Sequence, residues 1–326
     1  MSNRKTALVL GATGGVGGAI AEALLRHGWH VRGLARDVEA ARPTHPKVEW
    51  LRGDAMVQSE VVRAAAGASA IVHAVNPPGY RNWGSLVLPM IDNAIAAARA
   101  AGGARIVLPG TIYNFDARVR VIDADTPQEP TSRKGAIRVE LERRLANAAP
   151  EVPSLILRAG DFFGPGVRSS WFAQAMVTPG RPVTRLINPA RGGGHSWAYL
   201  PDLAEAFALL LESPNLSPFE RVQFEGLYDA SGTELIDAVR RVTGRDPKVR
   251  RFPWWLMHLL APFGGFPREA SEIAQFWHHP MRLDNAGLVR LIGPEPRTEL
   301  DTAVRSSLVS MGCLAPQAGR QADESV

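Results

Sequence analysis

A single cysteine, Cys313, stands in a chain of 326 residues, so neither a disulfide framework nor a cysteine metal site can be built from it. Such thiol poverty fits a reducing compartment. No apolar run reaches the ~18 residues that a membrane-spanning helix needs. The opening M-S-N-R-K-T leads directly into an apolar segment, with no signal-peptide pattern. A cytoplasmic protein that does not use a membrane is therefore expected. Runs of one charge are missing too. Thirty-seven Lys and Arg against 32 Asp and Glu give +5, and the arginines are scattered along the chain. That distribution speaks against nucleic acid and for a small anionic ligand. His278 and His279 have no carboxylate or cysteine at ligand spacing, so no metal site is expected.

What is present is a regular alternation. The run T-A-L-V-L-G-A at 6–12 has the look of a doubly buried strand, and Val16, Ile20, Ala23 and Leu24 then fall on one helical face that His27 and Gly28 close. Strands at 29–35, 48–52, 70–75, 105–108 and 154–158 interleave with helices at 58–66, 86–101 and 133–148. Strands that alternate with helices imply right-handed crossovers, so the fold class is α/β, a Rossmann-type doubly wound parallel sheet of six or more strands. After residue 165 the rhythm breaks at P-G-R-P (179–182) and G-G-G (192–194). The expected organisation is a nucleotide domain over 1–165, a smaller substrate lobe over 166–313, and a disordered tail over 314–326. The segment P-W-W-L-M-H-L-L has the composition of a membrane-surface helix, but the flanking Pro253 and Pro262 and its short length favour a buried or lid helix of that lobe.

The strongest chemical signal is G-A-T-G-G-V-G at 11–17, between the first strand and the first helix. Glycines there allow a tight turn and the close approach of a pyrophosphate, whose charge sits at a helix N-terminus. Gly11, Thr13, Gly14, Gly15, Val16 and Gly17 are candidate cofactor contacts. Nineteen residues beyond Gly17, Arg36 stands where a 2′-phosphate would be paired, which favours NADP. Its neighbour Asp37 keeps NAD open.

The three-and-three glycine spacing resembles the extended and atypical short-chain dehydrogenase/reductase superfamily, which is NAD-dependent epimerase/dehydratase-like. The resemblance covers nearly the whole chain: G-D at 53–54, H-A at 73–74, R-A-G-D-F-F-G-P-G at 158–166 and Y-L-P-D-L-A at 199–204. It implies that Asp54 contacts the adenine, that Ala74 and Val75 line the cofactor channel, and that Phe162 and Phe163 lie beside the nicotinamide. It also implies a homodimer through the helices at 86–101 and 133–148, whose Ala-rich faces permit close packing.

One part of the resemblance fails. Its redox members carry Tyr-x-x-x-Lys on the helix after the fifth strand, where i and i+4 share a face and the Lys depresses the Tyr pKa. Here Lys134 and Arg138 take those places, while Gly135 and Glu142 still match the surrounding pattern. An Arg can hold a ribose or phosphate but does not deprotonate near neutrality. The proton must then come from Lys134, Tyr113, His195, water or the substrate itself, with Thr111 as the substrate-orienting hydroxyl. His195 and Trp197, after the triple glycine, are the expected substrate contacts. The leading expectation is an NADP-dependent oxidoreductase-like enzyme acting on a small organic carbonyl or alcohol. A non-catalytic NADPH sensor resembling nitrogen-metabolite-repression regulators, or an epimerase that recycles its cofactor, remains open.

Overall fold

The computed structural model describes residues 5–76 and 83–316. Its short apolar runs form β1 (Thr6–Leu10), β2 (His30–Ala35), β3 (Glu49–Arg52), β4 (Ala70–His73), β5 (Arg105–Gly110), β6 (Val121–Ile122), β7 (Ser154–Arg158), β8 (Asp161–Phe163), β9 (Arg185–Asn188), β10 (His195–Tyr199), β11 (Phe219–Gln223), β12 (Leu227–Asp229), β13 (Lys248–Arg251) and β14 (Arg282–Leu283). The helices are α1 (Gly15–Arg26), α2 (Val38–Ala41), α3 (Gln58–Ala64), α4 (Trp83–Ala100), α5 (Arg133–Ala148), α6 (Leu200–Glu212), α7 (Glu234–Thr243), α8 (Trp254–Leu260), α9 (Gly265–Ile273), α10 (Ala286–Ile292) and α11 (Leu300–Ser310).

Seven strands make one parallel sheet in the order β3-β2-β1-β4-β5-β7-β11. The chain winds outward from β1 to β3, returns to the middle, and winds the other way from β4. The switch point lies between β1 and β4, so a crevice opens at their carboxyl ends. One face is packed by α1 and α6, with Ile20, Leu24, Leu203, Phe207 and Leu210 against Val9 and Leu157. The opposite core joins Val61, Ile91, Leu141 and Leu145 to Leu8 and Ile106.

Three expectations are corrected. The central sheet and its layers do not end at 165: α6 completes the helical layer beside α1, and β11 adds the last strand beside β7. That layer needs an apolar helix long enough to cover the sheet, and the densest such run is at 200–211. Meanwhile β8 leaves the main sheet and joins β10 and β12 in the lobe. Next, three of the alanines of α4 face inward, although Ala100 is exposed. Ala94, Ala97 and Ala98 are wholly buried against the sheet, and the outer surface carries ion pairs of Arg144 with Asp92 and Glu140. Finally, the helix at 254–260 is half buried: Trp254 and Met257 face the lobe core, whereas Trp255 and Leu259 are exposed. Residues 317–326, most of the expected tail, lie outside the described residues. Leu314, its expected first residue, packs against the lobe core.

A charged clasp fastens α1 to α6. His27 contacts Glu205 through Nε2 (2.6 Å) and Glu212 through Nδ1 (3.0 Å), and Arg26 donates to Glu205 (2.9 Å). Burial lowers the His27 pKa, but the two carboxylates outweigh it and leave it above the ordinary 6.5. Burial likewise raises Glu205, and His27 with Arg26 outweighs this, leaving it below the ordinary 4.5. The histidine contribution is complete below 6.5 and fades as pH rises through the folded value. The carboxylate contribution is complete above 4.5 and fades as pH falls through the folded value. The clasp is thus whole between the two. Raising pH from about 6 to about 8.5 should lower the urea midpoint of the wild type more than that of His27→Gln. Parallel slopes for the two proteins would show that the clasp contributes nothing.

Candidate active site

The turn after β1 is shaped by contacts that admit no side chain. Gly11 has φ +90°, and a Cβ there would lie 2.6 Å from the Ala74 carbonyl oxygen. On Gly17 a Cβ would meet the Gly11 carbonyl oxygen at 2.2 Å. Backbone therefore packs on backbone where β1, α1 and the exit of β4 meet. Gly14 caps α1 without any side-chain hydrogen bond, and no acid lies in the first turn. Gly15 faces the backbone of Gly166 and Val167, and Thr13 sits exposed at the tip of the loop. Beyond β2, Arg36 is exposed, while the Asp37 carboxylate caps α2 by accepting from Ala40 N–H (3.1 Å). Asp54 follows β3, and its Oδ1 accepts from Met56 N–H (2.9 Å).

On the other side of the loop a cavity of about 170 Å³ opens along the carboxyl ends of β4, β5 and β7. Val16, Ala74, Val75 and Phe162 border it at the loop side, and Thr111, Tyr113 and Arg138 border it opposite. Gly135 explains why the β5 loop and α5 approach so closely, since a Cβ would sit 2.1 Å from the Tyr113 carbonyl oxygen. Ser132 caps that helix by accepting from Gly135 N–H (3.0 Å). The Thr111 hydroxyl oxygen accepts from Tyr113 N–H (3.3 Å), and the Tyr113 ring leans on Phe276 of the lobe (5.2 Å between centroids). Arg138 lies over the Trp83 ring at 4.9 Å.

Two further groups on this wall carry charge information. Burial, seconded by Arg138, pushes the His73 pKa down to about 3, so its imidazole is neutral at ordinary pH. Its Nδ1 is buried with no hydrogen-bond partner among the described residues. Asp161 borders the cavity from β8, and its Oδ2 accepts from His195 Nε2 (2.8 Å). Behind the wall, the Glu142 carboxylate is bound by Arg158, Asn114 (2.9 Å) and Gln128 (2.7 Å).

Comparison with known proteins bears on the loop first. A family model described as NAD(P)H-binding matches residues 11–132. The chain is 26% identical over 313 residues to 3-diazoavenalumate denitrifying reductase of a Streptomyces species, covering 86% of this chain and 98% of that protein. It is 26% identical over 261 residues to ceramide reductase of Caulobacter vibrioides (strain NA1000 / CB15N), covering 77% and 74%. A variant of UDP-glucuronic acid 4-epimerase from Bacillus cereus, solved with UDP-4-deoxy-4-fluoro-glucuronic acid and NAD, has the same fold. Its TM-score is 0.72 over 94% of this chain and 98% of that one, at 15% identity.

The residues matched by that family model fit a dinucleotide on their own chemistry. An uncapped helix start behind a turn without side chains offers N–H donors and a positive dipole end to a pyrophosphate. The carboxyl edge of the sheet then runs from Asp54 and Arg36 at one end to the cavity at the other.

Four expected site residues are placed elsewhere. Lys134 is not on the cavity wall: its Nζ is gripped by Glu269 and by Glu272 (2.6 Å), and Glu272 also accepts from Lys134 N–H (2.9 Å). Two carboxylates on α9 thus make it a strut between α5 and the lobe, and only Arg138, one turn further, reaches the cavity. His195 and Trp197 do not meet the cavity either. His195 stacks on Trp277 (3.7 Å, 11°), and both residues border a separate void of about 10 Å³, scarcely space for one water. Phe163, unlike Phe162, turns into the lobe core. His73 and Asp161 are the wall residues that sequence reasoning passed over as functional. The only signal for His73 was its position beside Ala74.

Lys134→Met should leave the two carboxylates uncompensated and cost about 3 kcal/mol in urea unfolding, while NADPH affinity changes less than about twofold. A large loss of affinity with unchanged stability would return Lys134 to the site.

Proposed function

We propose that this protein is an NADPH-dependent reductase that acts on a small organic carbonyl compound, with Tyr113 as proton donor in place of Tyr-x-x-x-Lys. The observation that carries this reading is the convergence of Thr111, Tyr113 and Arg138 on one cavity that adjoins the Gly11–Gly17 loop. The preference for NADPH is supported by exposed Arg36 beside an Asp37 whose carboxylate is already engaged as a helix cap. Net reduction, and not internal epimerisation, is favoured by the names of the two relatives, both reductases. The reading is completed by residence in the cytoplasm and by a homodimer.

The Gly11–Gly17 turn and the start of α1 would hold a reduced nicotinamide dinucleotide, which would supply hydride-donor chemistry. The chain's own part is to hold the carbonyl oxygen and deliver its proton. Thr111 Oγ1 is engaged as an acceptor by Tyr113 N–H, which leaves its O–H free to donate to the substrate oxygen. The Tyr113 phenol transfers its proton to that oxygen as negative charge develops, and water later reprotonates it. Arg138 is a fixed positive charge in a wall shared with Trp83 and neutral His73, where an oxyanion gains more than it would in water. Asp161, held by His195, offers a carboxylate to a hydroxyl or amine of the substrate.

Titration of Trp fluorescence with NADPH and NADH should give tighter NADPH binding, and Arg36→Ala should weaken NADPH by about tenfold without changing NADH. With a panel of aldehydes and ketones, Tyr113→Phe should lower kcat by about 10²-fold or more and leave NADPH affinity within about twofold. Undiminished turnover in Tyr113→Phe would move the proton donor elsewhere. NADPH binding with no turnover of any carbonyl would favour a sensor.

A further inference from the structure

The lobe carries an apolar surface that the nucleotide site does not use. Helix α8 buries Trp254 and Met257 and turns Trp255 (65% exposed) and Leu259 (63%) outward. The chain then bends at Gly264 and Gly265, both at positive φ (+83° and +64°), into α9. This bend holds Phe263 and Phe266 at its apex, 86% and 52% exposed. The helix pair is rigidly made. Arg268 donates to the carbonyls of Ala261 (3.3 Å) and Pro262 (3.2 Å), and Trp254 donates to Pro189 (2.8 Å). Four large, exposed apolar groups on one braced helix pair are an interaction surface that water does not reward.

Its charge is of one sign. From 248 to 268 the chain contains Lys248, Arg250, Arg251 and Arg268 and no Asp or Glu. Strand β13, which feeds α8 through Phe252 and Pro253, is exposed along its whole length and pairs with β9, which begins at Arg185. The bordering acids are each paired with a cation: the exposed Asp246 with Arg240 (3.1 Å), and Glu269 with Lys134. An isologous pair of copies would set these cations against each other. The partner that fits is anionic around an apolar centre.

We propose that the α8–α9 apex docks this protein peripherally on an anionic lipid bilayer. Trp255, Leu259, Phe263 and Phe266 enter the headgroup–acyl boundary, and Lys248, Arg250, Arg251 and Arg268 meet the lipid phosphates. Trp171 joins this surface to the cavity, for its ring packs against Phe266 (6.3 Å) and Trp254 (5.3 Å) while bordering the cavity. The catalytic wall thus lies one aromatic layer from the docked surface. This inference goes beyond the proposed reduction and does not depend on it.

The test is co-sedimentation of the full chain with vesicles of phosphatidylcholine alone or mixed with phosphatidylglycerol. The wild type should pellet with the mixed vesicles, weakly with the neutral ones, and less as salt rises. Leu259→Ser/Phe263→Ser should lower partitioning at least tenfold, and Arg250→Gln/Arg251→Gln roughly tenfold. Both variants should keep the wild-type urea midpoint and NADPH titration, because the altered side chains are exposed. Failure of the wild type to pellet with anionic vesicles, or equal pelleting by both variants, overturns the proposal. So does a wild-type dimer in light scattering that Leu259→Ser/Phe263→Ser dissociates without vesicle binding, which would assign the apex to a second copy.

Discussion

Between Gly17 and the carbonyl of Gly11 there is no room for a methyl group, and between Gly11 and the carbonyl of Ala74 there is hardly more. Everything that handles a nucleotide depends on this double contact. It draws the start of α1 against the exit of β4, at the one place where the winding of the sheet reverses. Because that helix start has neither a capping side chain nor an acid, its donors face the crevice. The cavity next to it inherits its floor from the same residues, Ala74 and Val75.

The far wall of the cavity is held by a different kind of force. Gly135 lets α5 press against the Thr111–Tyr113 loop, and the Glu142 carboxylate behind it is bound by Arg158, Asn114 and Gln128. Such a buried group is costly unless each partner is present, and so it fixes one arrangement of the loop. From the lobe, Glu269 and Glu272 hold Lys134, and Phe276 leans on Tyr113. The wall is therefore assembled from two halves of the chain that meet only on folding. The lobe's contribution to it is a strut and an aromatic brace, and its own histidine, His195, acts through Asp161.

Much of the central sheet was legible because its signals are local. Short apolar runs bounded by turns, and helices with one apolar face, name themselves: α5 begins and ends at the expected residues, and β7 does likewise. The phosphate loop was legible for the same reason, since a run of glycines is what such a turn requires. The role of α6 was not. A strongly apolar helix at 200–212 reads equally well as lobe or as layer, and its partner α1 lies far away in sequence. The alanines of α4 were misread because small size permits close packing in any direction, and here the sheet took three of them.

At the site, Lys134 and Arg138 are one turn apart on one helix, and sequence periodicity treats them alike. Two carboxylates from 269 and 272 separate their fates, and no spacing rule links residues so distant. His195 was expected at the substrate after three glycines, yet it is stacked on Trp277 because β10 lies in the middle of the lobe sheet. Local pattern alone determined the parallel sheet, its crossovers and the glycine turn, since backbone conformation and burial of nearby side chains decide these. Which charged side chains reach the cavity and which become struts was decided only in the folded chain, because an ion pair depends on distance in space, and chain separation carries no record of it.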